Sequence, residues 1–229
     1  MVSMNKENML TGLAHGAAGY GGAFFALYSH TGREDFLHAG RSAFAFENAL
    51  FDDDAQNWPD LRTSSHQLRG EDTARLVVTW CNGAAGIALS RLRAMAADPE
   101  FRTDYGRQAR IGLIATQRQL NDLLAAGTNM SLCHGIAGLV ETLWIGSSVL
   151  DDPRLGILAA TALHSWLERW GTDDNAYGDF VLSNPGLMVG AAGIGHQCLR
   201  MYDPGGVRSI LAGPWRAGHS ISPRTRQVG

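Results

Sequence analysis

Three residues of this 229-residue sequence combine type and spacing in a way that suits a metal ion: Cys81, and the adjacent pair Cys133 and His134. Thiolate sulfur and imidazole nitrogen are zinc donors, and three protein ligands with a fourth position left open is the catalytic arrangement of zinc. An isolated buried cysteine is more often a small core hydrophobe, and a Cys-His pair arises by chance. What lifts these three above that background is their place in an internal repeat.

Four segments share the template x-x-x-Gly-x-Ala-Gly. They are Leu13-Ala14-His15-Gly16-Ala17-Ala18-Gly19, Trp80-Cys81-Asn82-Gly83-Ala84-Ala85-Gly86, Leu132-Cys133-His134-Gly135-Ile136-Ala137-Gly138 and Leu187-Met188-Val189-Gly190-Ala191-Ala192-Gly193. Candidate ligands at equivalent points of a repeat converge if the repeats pack with pseudo-symmetry. Each motif also opens a helix, whose N-terminal dipole favours thiolate over thiol. His15 precedes Gly16 as His134 precedes Gly135. It stands as a fourth ligand, a catalytic acid or base, or a structural histidine. Cys198 lies about one helical turn beyond Ile194, on an apolar stripe with Leu199, and reads as core. His30, His38, His66, His164 and His219 fall in turns or on polar faces, and His196 lies just beyond the last motif.

The elements that must position these residues are helices. The shared glycines Gly16, Gly83, Gly135 and Gly190 are separated by 67, 52 and 55 residues, room for a helix out and a helix back. Leu139, Val140, Leu143, Trp144 and Val149 follow helical spacing. So do Leu155, Leu158, Ala162, Leu163, Trp166, Leu167 and Trp170, and Ile111, Ile114, Leu120, Leu123 and Leu124. No sustained period-two alternation occurs, so strands are few and the fold class is all-α. A helical hairpin cannot bury its apolar face alone, so the units stack into an open solenoid or a ring. Asp52 to Glu71, with Asn57-Trp58-Pro59-Asp60, reads as a loop, and residues 204–229, rich in Gly and Pro, as an irregular tail on a single domain of residues 1–229.

Composition narrows the partners. With 45% hydrophobic and 18% charged residues and a formal net charge of -3, the chain is an ordinary globular protein without the basic patch that nucleic acid or an anionic membrane requires. No uninterrupted run of about 18 apolar residues marks a membrane span. The three cysteines cannot all pair, and the expected setting is the cytoplasm, with free or metal-bound thiols.

Taken together, Ala14-His15-Gly16, Asn57-Trp58-Pro59-Asp60, Trp80-Cys81-Asn82-Gly83, Leu132-Cys133-His134-Gly135 and Gly186 to Gly195, followed by Leu199-Arg200 and Asp203-Pro204, resemble the lanthionine synthetase C-like cyclases. The likeness is to the C-terminal cyclase domains of class II lanthipeptide synthetases. The resemblance implies an α,α-toroid with one Zn²⁺ on Cys81, Cys133 and His134, and His15 as the catalytic histidine. The implied reaction closes thioether rings on a dehydrated precursor peptide, with a dehydratase domain or partner protein nearby. Family toroids have about seven hairpins. Four motifs here imply an incomplete ring of about four repeats, lacking an aspartate that the family places near its histidine. The arginine that stand-alone cyclases carry four residues before the first zinc cysteine is Val77 here, with Arg75 the nearest substitute. A non-catalytic zinc-binding protein of the same fold is the competing reading. A glycosidase on an α,α-barrel would need two facing carboxylates, and Asp60, Glu141 and Asp179 are not at repeat-equivalent positions.

Overall fold

The computed structural model describes residues 9–62, 75–127, 129–172 and 183–212, with the side chains of Arg75 and Trp170 left aside. Among these residues there are seven α-helices: α1 (Ala17–Thr31), α2 (Glu34–Asn48), α3 (Ala84–Ala97), α4 (Arg102–Ala126), α5 (Ile136–Leu150), α6 (Pro153–Trp170) and α7 (Ala191–Tyr202). The one ladder is two residues long on each side, Pro59–Asp60 (β1) against Arg75–Leu76 (β2), antiparallel. Its β1 strand falls in the stretch read as loop. His66, Asp179, His219 and the tail beyond residue 212 lie outside the described residues.

The turns follow local chemistry. Gly32, at φ 69°, ends α1 by giving its N–H to the Tyr28 carbonyl, and Gly127, at φ 65°, ends α4 in the same way on Leu123. Between α5 and α6, Asp151 takes the left-handed conformation and Asp152 caps α6, accepting from the Arg154 N–H with Pro153 at the first helical position. The first three glycine motifs each begin an inner helix whose outer partner folds back on it: α1 with α2, α3 with α4, α5 with α6. The inner helices α1, α3, α5 and α7 pack in sequence order, side by side.

Burial separates the two layers. α3 is covered by α1, α4 and α5, and its residues 84–92 are all buried. The outer helices are one-sided: α4 buries Tyr105, Gln108, Ala109, Gly112, Leu113, Thr116 and Leu120. Ile114, counted in the apolar stripe of that helix, is 52% exposed, because the step from Leu113 turns it about 100° away from the core. One contiguous core runs from Phe25, Phe44 and Tyr105, with ring centroids 5.2 to 5.8 Å apart, through Leu89, Leu92, Leu132, Leu139 and Trp166 to Ile194.

Two buried carboxylates tie helices together. Glu47 at the end of α2 accepts from Arg91 of α3 at 2.9 Å and from the backbone N–H of Gly12 at 2.8 Å. Glu141 of α5 accepts from Gln197 at 3.1 Å and Arg200 at 3.2 Å, both on α7. Both carboxylates are thus engaged in structure.

Candidate metal centre

Three of the motif loops close in one way, and the second closes by a like bond from a residue two positions further on. The first helical N–H reaches back to a carbonyl seven residues earlier: Ala17 to Leu10 at 2.7 Å, Ile136 to Asn129 at 2.9 Å and Ala191 to Asn184 at 2.8 Å. In the second loop Gly86 N–H reaches the Thr79 carbonyl at 3.1 Å. The second glycine of the template is needed for this closure. A Cβ on Gly19, Gly86, Gly138 or Gly193 would overlap the carbonyl of Leu13, Trp80, Leu132 or Leu187, each six residues back.

The closed loops are then laced to one another. Leu13 and Ala14 donate to the Cys81 carbonyl at 3.1 and 3.0 Å, Cys81 donates to the Cys133 carbonyl at 3.3 Å, and Cys133 donates to the Met188 carbonyl at 2.8 Å. Ala14, Cys81, Cys133 and Met188 each stand two residues before the template glycine, so the repeat register becomes a spatial register. This lacing places the two cysteines side by side.

Cys81, Cys133 and His134 offer two sulfurs and a ring nitrogen that all lie within 4.8 Å of one another. Donors about 2.0 to 2.3 Å from a tetrahedral ion are themselves about 3.3 to 3.8 Å apart, so a group within 4.8 Å could hold a metal ion. The thiols are half-buried and His134 is exposed. The Cys133 contact, chiefly, with His134 and Thr79 in support, holds the Cys81 thiol well below the usual range, at about 4, against the opposing effect of burial. Cys133 is pushed up, because it gives its proton to that contact and is itself buried. The pair sheds its first proton readily, which suits a thiolate metal ligand.

A shell of polar groups sets these side chains. The Thr79 hydroxyl lies 3.4 Å from Cys81 Sγ and donates to the Asn82 carbonyl at 2.9 Å, while Asn82 N–H donates back to it at 3.0 Å. Ser131 is its counterpart in the third loop, accepting from His134 N–H at 3.4 Å. Asp60, buried, accepts two hydrogen bonds from the Arg62 side chain at 2.7 and 2.9 Å. Burial opposes ionisation of Asp60, but Arg62 outweighs it and holds the carboxyl below its usual range. The buried Asn82 amide makes no well-formed hydrogen bond yet faces Asp60 closely enough to aid that lowering.

His15 sits one residue beyond the Ala14 N–H that binds the Cys81 carbonyl, on an exposed rim, and is not in the ligand group. Cys198 packs half-buried against the core, where burial raises its thiol, and stays out of the cluster. His196 on α7 keeps a buried Nδ1 without a hydrogen-bond partner. Sequence reading missed Thr79, Ser131 and Arg62. The first two carried a signal, since both stand four residues before the template glycine, where the other repeats have Gly12 and Gly186. Arg62 carried none: it lies outside the repeats, two residues beyond β1, and holds the buried Asp60.

The profile of the family described as lanthionine synthetase C-like protein matches residues 2–212. No functionally curated protein matches the chain in sequence. Among solved structures, nisin cyclase is similar in fold, with a TM-score of 0.58 and 22% identity over 81% of this chain. The shared architecture is the all-α toroid, and this chain spans 44% of the nisin cyclase chain. One profile thus takes in all four glycine loops and the three clustered donors, and the chain belongs to the lanthionine synthetase C-like family.

Proposed function

We propose that this chain is a zinc-dependent cyclase unit that adds a peptide cysteine to dehydroalanine or dehydrobutyrine, forming the lanthionine or methyllanthionine thioether. The observation that carries the reading is the convergence of Cys81, Cys133 and His134 at laced, repeat-equivalent loops of a chain in this family. Two sulfurs and an imidazole select zinc over magnesium or calcium, which take oxygen donors. No fourth His, Cys or carboxylate joins the group among the described residues, which leaves a position for a substrate atom. Zinc bound there would supply the charge that keeps an incoming cysteine sulfur deprotonated at neutral pH.

The chain's own residues do the rest. Thr79 fixes the Cys81 side chain, and Ser131 fixes the loop that carries Cys133 and His134. When the peptide sulfur bonds to the β-carbon, the alkene electron pair moves toward the adjacent carbonyl, and the α-carbon then needs a proton. We assign that general-acid step to His15, a reading supported by its position on the loop hydrogen-bonded to the Cys81 carbonyl. Holding thiol and alkene of one peptide against the same loops makes the addition intramolecular. The partner is a dehydrated precursor peptide, its alkenes made by a dehydratase domain or protein. No helix of the described residues is long and apolar enough to cross a membrane, and the reducing cytoplasm suits the three thiols.

The test has two arms. Zinc content of purified Cys81→Ala, Cys133→Ala and His134→Ala should fall well below the wild type's one equivalent. His15→Asn should keep its zinc while thioether formation on a dehydrated peptide, counted by thiol alkylation and mass spectrometry, drops about 100-fold or more. Wild type that binds zinc but forms no thioether would leave a metal-binding accessory protein instead of an enzyme.

A further inference from the structure

Neighbouring repeats pack in one register. The second glycine of each template lies against the residue three before the template glycine of the preceding repeat. A Cβ on Gly86 would stand 2.7 Å from Leu13, one on Gly138 3.5 Å from Trp80 and one on Gly193 3.0 Å from Leu132. Residues four and seven past the template glycine also face the preceding repeat, and they are buried in α3 (Ile87, Ser90), α5 (Leu139, Thr142) and α7 (Ile194, Gln197). Residues two and six past it face the next repeat: Ala18 clusters with Ile87, Gly22 meets Ser90, and Glu141 accepts from Gln197. At both ends of the stack this register is left unfilled. In α1 the residues that should face a preceding repeat are Tyr20, 55% exposed, and Ala23, also exposed. Gly19 is half-buried, and the atoms nearest to a Cβ there belong to Leu13 of its own loop. At the other end Leu187, three before Gly190, is 45% exposed, although its counterpart Leu132 is fully buried. Ala192 is exposed where Ala18, Ala85 and Ala137 are buried. The backbone lacing also stops here: among the described residues the Met188 N–H has no bond to a further loop.

We propose that two copies of this chain pair head to tail, the α7 end of each seated on the α1 end of the other. The two ends are complementary: one carries a projecting Leu187 and a small Ala192, the other a bare Gly19 and a projecting Tyr20. Continuing the register of the inner helices puts Leu187 on Gly19 of the partner subunit and Ala192 under the partner's Tyr20. The Met188 N–H then donates to the Ala14 carbonyl of the partner subunit, as Cys81 donates to Cys133 and Cys133 to Met188 within one chain. α1 holds no Asp, Glu, Lys or Arg, so covering its face strips no such charge of water. A contact between unlike ends closes into a ring when its rotation permits, and otherwise runs on as a filament. Closure at two copies follows from size, because the stack spans 44% of the solved chain whose fold it shares. The pairing uses no metal ligand, so it stands or falls apart from the metal reading.

Analytical ultracentrifugation of the purified chain over a range of concentrations is the test, and the expected species has twice the 24.6 kDa chain mass. Tyr20→Lys and Ala192→Glu change exposed positions at opposite ends, so each should keep the wild type's helical circular dichroism and sediment as a monomer. An equimolar mixture of the two should recover the dimer, because the lysine end then meets the glutamate end while the other contact stays native. Leu187→Ala should weaken pairing about tenfold or more, since each dimer buries two of these leucines. A wild type that stays monomeric overturns the proposal, and so do polymers that lengthen with concentration. A dimer lost in Tyr20→Lys but kept in Ala192→Glu would mean that α1 meets α1, and overturns the head-to-tail pairing. If either charged variant fails to fold, a Leu187→Ala chain that pairs as tightly as the wild type overturns it still.

Discussion

Gly83 joins Cys81 and Asn82 to the first turn of α3 at φ 75°, a conformation that L side chains rarely adopt. A Cβ there would also overlap the Val77 carbonyl. Gly83→Ala is therefore expected to destabilise the chain by about 2 to 4 kcal/mol, from left-handed strain and from displacement of the loop. Chemical denaturation measures the change, and metal titration should show weaker binding because Cys81 moves with the loop. A variant as stable as the wild type would mean that the loop relaxes without strain. Cys198 tests the opposite expectation. It shares the thiol but not the register, so Cys198→Ala should keep one equivalent of zinc and lose only about 1 kcal/mol of packing. Zinc loss equal to that of Cys81→Ala would place Cys198 in the site.

At the scale of elements, the ion pair of Glu47 and Arg91 joins three helices and a loop. Arg91 binds Glu47 at 2.9 Å, Gln108 of α4 at 2.7 Å and Asn48 at 3.2 Å, and its guanidinium stacks 3.6 Å from the centre of the Phe44 ring. Both side chains are fully buried, and burial pushes Glu47 up and Arg91 down, toward the neutral forms. Their mutual attraction and the Gly12 N–H oppose it. Glu47→Gln leaves a buried cation without its partner, which costs about 3 to 5 kcal/mol. The double variant Glu47→Gln/Arg91→Met should recover much of that loss, as urea denaturation of the three variants would show. A double variant no more stable than Glu47→Gln would refute the coupling. Hydrogen exchange at Gly12 should quicken in the single variant, because the Gly12 N–H donates to the Glu47 carboxylate.

At the scale of the molecule, the hairpins hold one another through the core, and the three candidate metal donors lie on loops at one end of it. Zinc should accordingly raise the thermal midpoint without creating the fold. At a free concentration about 100 times Kd the gain is about 2.7 kcal/mol, or several degrees for a chain of this length. Differential scanning calorimetry with zinc and with a chelator reads the shift. Collapse of the far-ultraviolet helical signal on chelation would show instead that the fold depends on metal. The flanks of the stack carry apolar side chains, Tyr20 and Leu27 on α1 and Leu199 and Tyr202 on α7, the last two 60% and 89% exposed. By itself the sequence determined the hairpin architecture, because glycine spacing and helical periodicity are local properties that repeat. It also pointed to the cluster of Cys81, Cys133 and His134, because the two cysteines share one template position and His134 adjoins it. Only the tertiary structure decided that Glu47 bonds the first loop, that the Pro59 carbonyl bonds Thr11 and that His15 stays on the rim. These depend on chain segments 35 to 48 residues apart meeting through buried contacts, such as Gly12 with Glu47 and Thr11 with Pro59, and no local pattern encodes such a meeting.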